Sequence, residues 1–381
     1  MPAVVVGLCA HGLTIVRDLA QRGIPVIALE SDASLPGVRT RHGEVRLVPD
    51  INGVGLIDEL DRLADSLPTT GGRPVLILTS DRMVQVVGDA AEHVGRRYRL
   101  AWQQAADRLL PLLGKGAIEA RCVEVGLNYP RSRLVEDLSG LAGALAGLRF
   151  PVIAKPVRPL SAFKTLVAGS VAELDAAKAQ LEASLPVLVQ EFIPGDDSRI
   201  RFGALYLDEG RVLARFEGRK LHSRPMGHTT VALSEPDDGV HALACRFFGG
   251  LKLSGPVSLE LKQDADGNYW VIEPTVGRTD FWSGLCSANG VNLSQAEYLA
   301  ALELPQPAHR QTQPGVWING ERFPGALFWL ARHHPAALLR RIRGVYFDSG
   351  DWRPYIAATL RFVRSVFSRA LQKARKSLSP N

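Results

Sequence analysis

Glu260 and Glu273 have a spacing that suits a divalent cation. They flank Asp266-Gly267, a dipeptide typical of a tight turn, between segments rich in β-branched and aromatic residues. A hairpin that turns there pairs the two glutamates, with Cβ atoms about 5 Å apart. Such carboxylates repel each other unless a cation lies between them, and Mg²⁺ prefers carboxylate and phosphate oxygens. The spacing predicts a magnesium site, with Thr275 on the same face; a solvated hairpin with two unrelated glutamates is the alternative.

A single lysine interrupts the apolar strand predicted at residues 150–156. Lys155 is costly to bury without an anionic partner. A nucleotide phosphate would be such a partner. The alternative is an edge-strand lysine whose ammonium group reaches water.

A second apolar strand, at residues 185–189, continues into Gln190-Glu191, then Phe192-Ile193 and a Pro-Gly turn. The backbone from Glu191 to Ile193 could hydrogen-bond the edge of an adenine. The Glu191 carboxylate could then reach a ribose or the exocyclic amine. A structural strand that merely ends in a Pro-Gly turn is the alternative.

These residues need elements that bring them together, and the chain divides into three regions. Residues 1–110 alternate apolar strands with helical periodicity, which predicts an α/β region with a parallel sheet. Residues 111–305 contain longer strands and hairpins, typical of an α+β region. Residues 306–381 begin with a linker rich in Pro and Gln and continue with a mostly helical pattern.

In the first region we expect strands at residues 4–7, 25–30 and 74–79 and a helix at 13–22. The turn at residues 7–12 lacks the GxGxxG dinucleotide fingerprint, which disfavours a dehydrogenase. This turn is either purely structural or in contact with substrate, because open α/β sheets bind ligands at the carboxyl ends of their strands.

Composition bounds the class of protein. The chain has 381 residues, 46% of them hydrophobic, which is enough for two or three domains. No apolar run reaches the roughly 18 residues of a membrane-spanning helix. Four cysteines lie far apart without a CxxC pair, so we expect a cytoplasmic protein without a disulfide framework or a zinc ribbon.

The positive charge is concentrated at the end of the chain. Residues 331–381 contain eleven Lys and Arg against two Asp, a net charge of +9, so the preceding 330 residues carry −3 of the chain's +6. Because the body of the protein is not basic, we expect no nucleic-acid partner.

An amphipathic helix is predicted from Ile356 onward. Its apolar residues recur every three or four positions and form one stripe, and Arg and Lys cover the remaining surface. Such a helix can lie on the anionic inner face of a membrane, or its apolar stripe can pack on the protein's own core. Both outcomes stay open, and so does a homodimer.

The order of these segments over residues 4–305 resembles the ATP-grasp superfamily. Residues 218–227 further resemble the Lys-Arg-Pro-Gly stretch of its carboxylate–amine ligase branch, which includes relatives of D-aspartate ligase and of polysaccharide-cluster ligases. The segments that carry the resemblance are Lys115 before a helix, Tyr129-Pro130, Lys155-Pro156, Gln190 to Gly195, and the pair Glu260 and Glu273.

This resemblance implies a pre-ATP-grasp domain at 1–110 and an ATP-grasp domain that binds ATP and Mg²⁺ at 111–305. The linker and basic helical region at 306–381 lie outside it. The resemblance implies a ligase that joins a small carboxylate to a small amine through an acyl phosphate, releasing ADP and phosphate. The implied site residues are Lys115 and Lys155 on the ATP phosphates, Gln190, Glu191, Phe192 and Ile193 around adenine and ribose, Glu260, Glu273 and Thr275 on Mg²⁺, and Arg278 and Lys220 in catalysis.

Two features depart from the family's pattern. Thr275 stands where the family usually has Asn, and the loop after Lys155 lacks the usual glycines, so that Arg158, Ser161 and Lys164 could contact phosphate instead. The departure at Thr275 favours an alternative function, a degenerate nucleotide-binding regulatory protein without turnover. Phosphotransfer without ligation is a second alternative.

Overall fold

The computed structural model describes residues 1–68, 72–157, 163, 165–224, 228–312 and 314–378, with the backbone alone at 228, 366 and 369–378. Arg158, Ser161, Lys164 and the end of the Lys-Arg-Pro-Gly stretch lie outside the described residues. The strands are β1 Ala3–Val6, β2 Val26–Glu30, β3 Glu44–Leu47, β4 Val75–Leu78, β5 Ser132–Val135, β6 Val152–Pro156, β7 Leu166–Ala168, β8 Val187–Glu191, β9 Ile200–Asp208, β10 Arg211–Arg224, β11 His228–Ser234, β12 Gly255–Gln263, β13 Tyr269–Val276, β14 Gly315–Ile318 and β15 Arg341–Gly344.

The α-helices lie between and around these strands. They are α1 Ala10–Ala20, α2 Gly55–Ser66, α3 Asp81–Asp89, α4 Ala91–Arg97, α5 Ala106–Leu109, α6 Lys115–Val125, α7 Leu141–Ala144, α8 Val171–Ala176, α9 Lys178–Glu182, α10 Asp238–Phe248, α11 Ser283–Ala288, α12 Leu293–Ala301, α13 Ala326–His333 and α14 Arg353–Leu378.

The first sheet is parallel, with strand order β3-β2-β1-β4. The three strands predicted in this region are confirmed as β1, β2 and β4, and the predicted helix as α1. Every residue of β1 and β4 is buried, as expected for a parallel sheet covered on both faces. Strand β3 was not predicted, because its four residues are partly exposed and carry charge at two positions.

A small antiparallel sheet follows, with strand order β5-β8-β6-β7. Its buried residues form a hydrophobic core of their own, which includes Val152, Leu174 and Val187. Helices α7, α8 and α9 contribute residues to this core.

The largest sheet has strand order β13-β12-β9-β10-β11-β14-β15. All of its pairs are antiparallel except β14 with β15. The mostly helical pattern expected after the linker is therefore corrected, because β14 and β15 extend this sheet. Periodicity cannot distinguish a four-residue strand from a helix, because the segment is too short. All four residues of β14 are buried, which explains why its sequence is apolar.

The parallel sheet and the largest sheet share one hydrophobic core. It joins Val4 and Leu76 of the first sheet to Leu205 and Val257 of the largest. The indole N–H of Trp102 donates to the backbone C=O of Gly277 at 3.1 Å, which attaches the segment after β13 to the first region. Gly277 has φ +70°, and a Cβ there would come within 2.9 Å of Val84, so glycine is required.

The α/β and α+β fold class is confirmed, and the predicted helix at the end of the chain is present as α14. In the described part of the chain, no helix combines the length and the hydropathy needed to cross a membrane.

Candidate active site

The hairpin of β12 and β13 pairs Glu260 directly with Glu273, as predicted. The turn differs from the prediction. The backbone N–H of Asp264 donates to the C=O of Asn268 at 2.9 Å, so residues 265–267 form a three-residue loop. A bulge after Glu260 restores the predicted pairing.

Asp264 explains why the loop has three residues. Its carboxylate accepts hydrogen bonds from the backbone N–H groups of Asp266 and Asn268 and from the indole N–H of Trp270. Gly267, at φ +87°, takes the left-handed position that ends such a loop. A carboxylate that organises the loop therefore outweighs the Asp-Gly preference for a two-residue turn.

The predicted site residues converge on one cavity of about 490 Å³ between the small and the largest sheet. It is lined by all eleven of them: Lys115, Lys155, Gln190, Glu191, Phe192, Ile193, Lys220, Glu260, Glu273, Thr275 and Arg278. These residues come from α6, from β6 and β8 with the segment after it, and from β10, β12 and β13 with the segment after it.

The largest sheet presents carboxylates to the cavity. Burial, together with repulsion from Glu273 and Asp280, raises the pKa of Glu260 to about 7 despite the attraction of Lys220. The Lys220 ammonium lies 2.5 Å from a Glu260 oxygen. Burial alone would lower the pKa of Lys220, but the carboxylates outweigh it and raise that pKa. A bound cation would favour the ionised form of Glu260.

Asp280 is a buried carboxylate that the sequence did not single out. It accepts hydrogen bonds from the hydroxyls of Ser258 at 2.9 Å and Thr275 at 3.2 Å. The Thr275 hydroxyl thus uses its proton toward Asp280 and keeps oxygen lone pairs for another partner.

These donors suit magnesium in combination with phosphate. Among the described residues, no three His, Cys, Asp or Glu side chains come together as a metal site. Mg²⁺ commonly takes one or two carboxylates and completes its shell with water and substrate phosphates. Glu260 and Glu273 fit that pattern, with Thr275 beside them.

The small sheet presents positive charge to the opposite side of the cavity. The Lys155 ammonium donates to the side-chain oxygen of Gln190 at 3.1 Å, and Gln190 donates to the Ser132 hydroxyl at 3.0 Å. Burial lowers the pKa of Lys155, although Glu273 and Glu260 act in the opposite direction. The Lys115 ammonium donates to the C=O of Pro156 at 2.8 Å. A bound anion would stabilise the charged form of Lys155.

The Glu191 carboxylate has partners within the protein. It accepts from the backbone N–H of Arg149 at 3.0 Å and from the Arg149 guanidinium at 3.1 Å. Neighbouring side chains of β8 point to opposite faces, and Gln190 faces Lys155. The expected contact of Glu191 with a ribose or an exocyclic amine stays a prediction.

The strand end retains the backbone feature expected of an adenine site. The N–H of Phe192 donates to the C=O of Pro151 at 3.0 Å, whereas within the described residues no hydrogen bond is found for the Ile193 N–H. The Lys262 ammonium lies 4.6 Å from the centre of the Phe192 ring, and both residues line the cavity.

Arg278 connects the cavity to the first region of the chain. Its guanidinium donates to the Asp81 carboxylate at 2.6 Å and to the C=O of Thr279 at 3.1 Å. Burial opposes the charged form, but Asp81, Asp280 and Glu273 outweigh it and raise the pKa of Arg278. Asp81 follows β4, at the carboxyl edge of the parallel sheet, which is where such sheets bind ligands.

Sequence reasoning missed four charged residues beside the predicted ones. Lys262 had a signal, because it alternates with Glu260 along the same strand. Asp81 is the first residue of α3, where an acidic side chain is common in any helix. Asp197 and Asp280 lie in segments between strands, where no periodicity identifies them. The four are Asp81, Asp197 and Lys262, which line the cavity, and Asp280, which contacts Thr275.

Comparison with known proteins finds ligases among the relatives of this chain. The sequence matches no family model. It is 27% identical to D-aspartate ligase of Enterococcus faecium over 206 residues, 48% of this chain and 48% of that protein. It is 25% identical to D-alanine–D-alanine ligase of Stutzerimonas stutzeri over 166 residues, 41% of this chain and 53% of that protein. The chain thus spans about half the length of the curated relatives it matches.

Solved structures share the fold over most of the chain. An ADP complex of N5-carboxyaminoimidazole ribonucleotide synthetase has a TM-score of 0.68 at 16% identity, covering 87% of this chain and 85% of that one. L-amino acid ligase from Bacillus licheniformis has a TM-score of 0.62 at 17% identity, covering 82% and 78%. The resemblance to ATP-grasp carboxylate–amine ligases is confirmed, and the fold is the ATP-grasp fold.

Proposed function

We propose that this protein is an ATP-dependent ligase that joins the carboxylate of one small molecule to the amine of another through an acyl phosphate. The observation that carries the proposal is the convergence on one cavity of two lysines from the nucleotide side and two paired glutamates from the metal side. The relatives support it, because the proteins they name are carboxylate–amine ligases.

The reaction has two steps that balance without a protein nucleophile. A carboxylate oxygen of the first substrate attacks the γ-phosphorus of ATP, and ADP leaves. The nitrogen of the second substrate then attacks the acyl carbon, loses a proton, and phosphate leaves. Negative charge builds on the transferred phosphoryl oxygens, so that positioned cations lower the barrier.

The chain's own residues would divide this work between them. Lys115 and Lys155 would hold the ATP phosphates, and the backbone of Ile193 would take the adenine edge. Arg278 and Lys220 would balance charge on the transferred phosphoryl group or the substrate carboxylate. Glu260 and Glu273, with Thr275, would hold Mg²⁺, which supplies Lewis-acid stabilisation of the phosphates. Gln190 would orient Lys155, to which it is bonded.

ADP formation with hydroxylamine present tests the proposal without knowledge of the amine. Hydroxylamine is a small neutral nucleophile that converts an acyl phosphate to a hydroxamate. The purified chain is given Mg²⁺ and ATP with pools of amino acids and other small carboxylates. We expect ADP and a hydroxamate that both depend on the carboxylate pool.

The two alternatives give different results in the same assay. A degenerate regulatory protein would bind ATP and form no carboxylate-dependent ADP; the Thr275 position is the observation that favours it. Phosphotransfer to an acceptor other than a carboxylate would give ADP and no hydroxamate. Either result would reject the ligase.

A further inference from the structure

A groove of about 770 Å³ lies between residues 33–40 of the first region and the start of α14. Its residues are distant in sequence from those that line the active-site cavity, and the proposed reaction does not use the groove. One part of its lining is apolar and includes Leu35, Val38, Trp352, Ile356 and Leu360.

Four arginines complete the groove: Arg39, Arg353, Arg361 and Arg364. Among the described residues, no carboxylate lies within ion-pair distance of any of the four. None of the described side chains that line the groove is acidic. Beside it, hydrogen bonds from Ser34 and the charge of Arg361 lower the pKa of exposed Asp32. Four guanidinium groups against this one carboxylate, beside apolar side chains, are complementary to an amphiphilic anion.

An exposed apolar stripe continues from the groove along α14. Trp352 is 54% exposed, Leu360 52% and Phe367 65%, and Tyr355 and Val363 are exposed beside them. The ring of Tyr355 packs edge-on against exposed Phe347 at 5.5 Å, which widens the surface beyond the helix. The sequence left open whether this stripe docks on the protein's own core or lies on a membrane. In the described residues, the whole stripe does not dock on the core.

We propose that the groove and the stripe together form a docking surface for an anionic phospholipid membrane. The arginines bind lipid phosphates, and the stripe enters the boundary between headgroups and acyl chains. This surface is independent of the ligase reaction.

Charge decides between the membrane and a second copy of the chain. A symmetric dimer through this face would place the arginines of one copy against those of the other, because a two-fold interface pairs the same patch with itself. Because four arginines face the single carboxylate of Asp32 among the described residues in and beside the groove, that contact is repulsive on balance. A soluble phosphate would satisfy the arginines but would leave the apolar stripe in water.

Vesicle co-sedimentation of the full chain tests the surface. The probes are vesicles of phosphatidylcholine alone and of phosphatidylcholine mixed with phosphatidylglycerol, each at low and high salt. We expect binding only to the anionic vesicles, weakened by salt. The double variant Arg361→Gln with Arg364→Gln should bind roughly thirtyfold more weakly, about fivefold for each arginine near the surface.

Matched variants separate this surface from net charge. Arg62→Gln with Arg96→Gln makes the same charge change at exposed positions of the first region and should bind as wild type does. Leu360→Ser with Phe367→Ser should lose binding although no charge is changed. Equal unfolding temperatures and ADP formation would show that each variant is folded.

Four results would overturn the proposal. One is no binding to anionic vesicles at low salt. Another is equal loss in the Arg62 and Arg96 control. The third is a monomer–dimer equilibrium, measured by sedimentation, that the groove variants shift while vesicle binding does not change. Full competition by soluble glycerol phosphate, at concentrations matching the lipid, would likewise exclude a membrane surface.

Discussion

The small sheet and the largest sheet line the same cavity, and they are built into the molecule differently. The small sheet supplies Lys155 and has a hydrophobic core of its own. The largest sheet supplies Glu260 and Glu273, and its core is continuous with that of the parallel sheet.

The difference assigns different tasks to the two sides. Side chains that position the reacting atoms benefit from a shared, close-packed core, because such a core resists displacement. A unit with a separate core can open or shift with less disturbance of the rest. We therefore expect the largest sheet to govern turnover and the small sheet to govern nucleotide binding.

The largest effect should follow Glu273→Gln. Amide replacement keeps the size of the side chain and removes the negative charge that would hold Mg²⁺, so ADP formation should fall by roughly a hundredfold or more. The unfolding temperature should not fall, because the substitution also removes repulsion from Glu260. Glu136→Gln, an exposed glutamate after β5, is the matched control. Turnover like wild type in Glu273→Gln would remove the basis for the metal assignment.

Lys155→Met should act on binding rather than on the fold. Loss of a charged hydrogen-bond donor should weaken ATP affinity by about tenfold to a hundredfold, measured by calorimetry. Stability should stay equal or rise, because a desolvated ammonium is removed. Lys178→Met, at an exposed position of α9, controls for charge. An unchanged ATP affinity would contradict the role of the small sheet.

The sequence predicted the small sheet and the largest sheet to different extents. Pairing of Glu260 with Glu273 was predicted from a two-residue loop, which was wrong. The pairing is present because a bulge after Glu260 offsets the extra loop residue. The bonds from Arg149 to the Glu191 carboxylate were not predicted, because they join residues that are 42 positions apart. Asp280 was missed because its position beside Thr275 depends on a turn after β13. All eleven predicted site residues reach one cavity, while the roles assigned to them stay predictions.

Glu297 tests the integration of the largest sheet with the first region. This residue of α12 is fully buried, one of its oxygens has no partner among the described residues, and burial raises its pKa to about 8. A carboxyl whose pKa is raised in the folded state makes the folded protein less stable as pH rises. The loss runs from pH 4.5, the ordinary pKa of the group, to about pH 8, because in that range only the unfolded chain ionises.

Glu297→Gln should remove that penalty. Its unfolding temperature should match wild type near pH 4.5 and exceed it by a few degrees near pH 8. The measurement is thermal unfolding at both pH values. A constant difference between them would mean that Glu297 is not buried in its neutral form.

The smallest effect should follow Thr275→Asn, which restores the residue usual in the family. The amide oxygen can replace the hydroxyl as an oxygen donor, so we expect ADP formation to be preserved or modestly increased. A steady-state assay at varied Mg²⁺ checks this. Collapse of turnover would mean that the bond from Thr275 to Asp280 matters more than any metal contact.

The path of the carboxylate oxygen tests the central claim most directly. Amino acids whose carboxylates carry a heavy oxygen isotope are supplied as a pool with Mg²⁺ and ATP, and the released phosphate is analysed by mass spectrometry. An acyl-phosphate ligase transfers one carboxylate oxygen to each phosphate, so we predict labelled phosphate in proportion to ADP. Formation of ADP with unlabelled phosphate would contradict the account, because the phosphoryl group would then have gone to water.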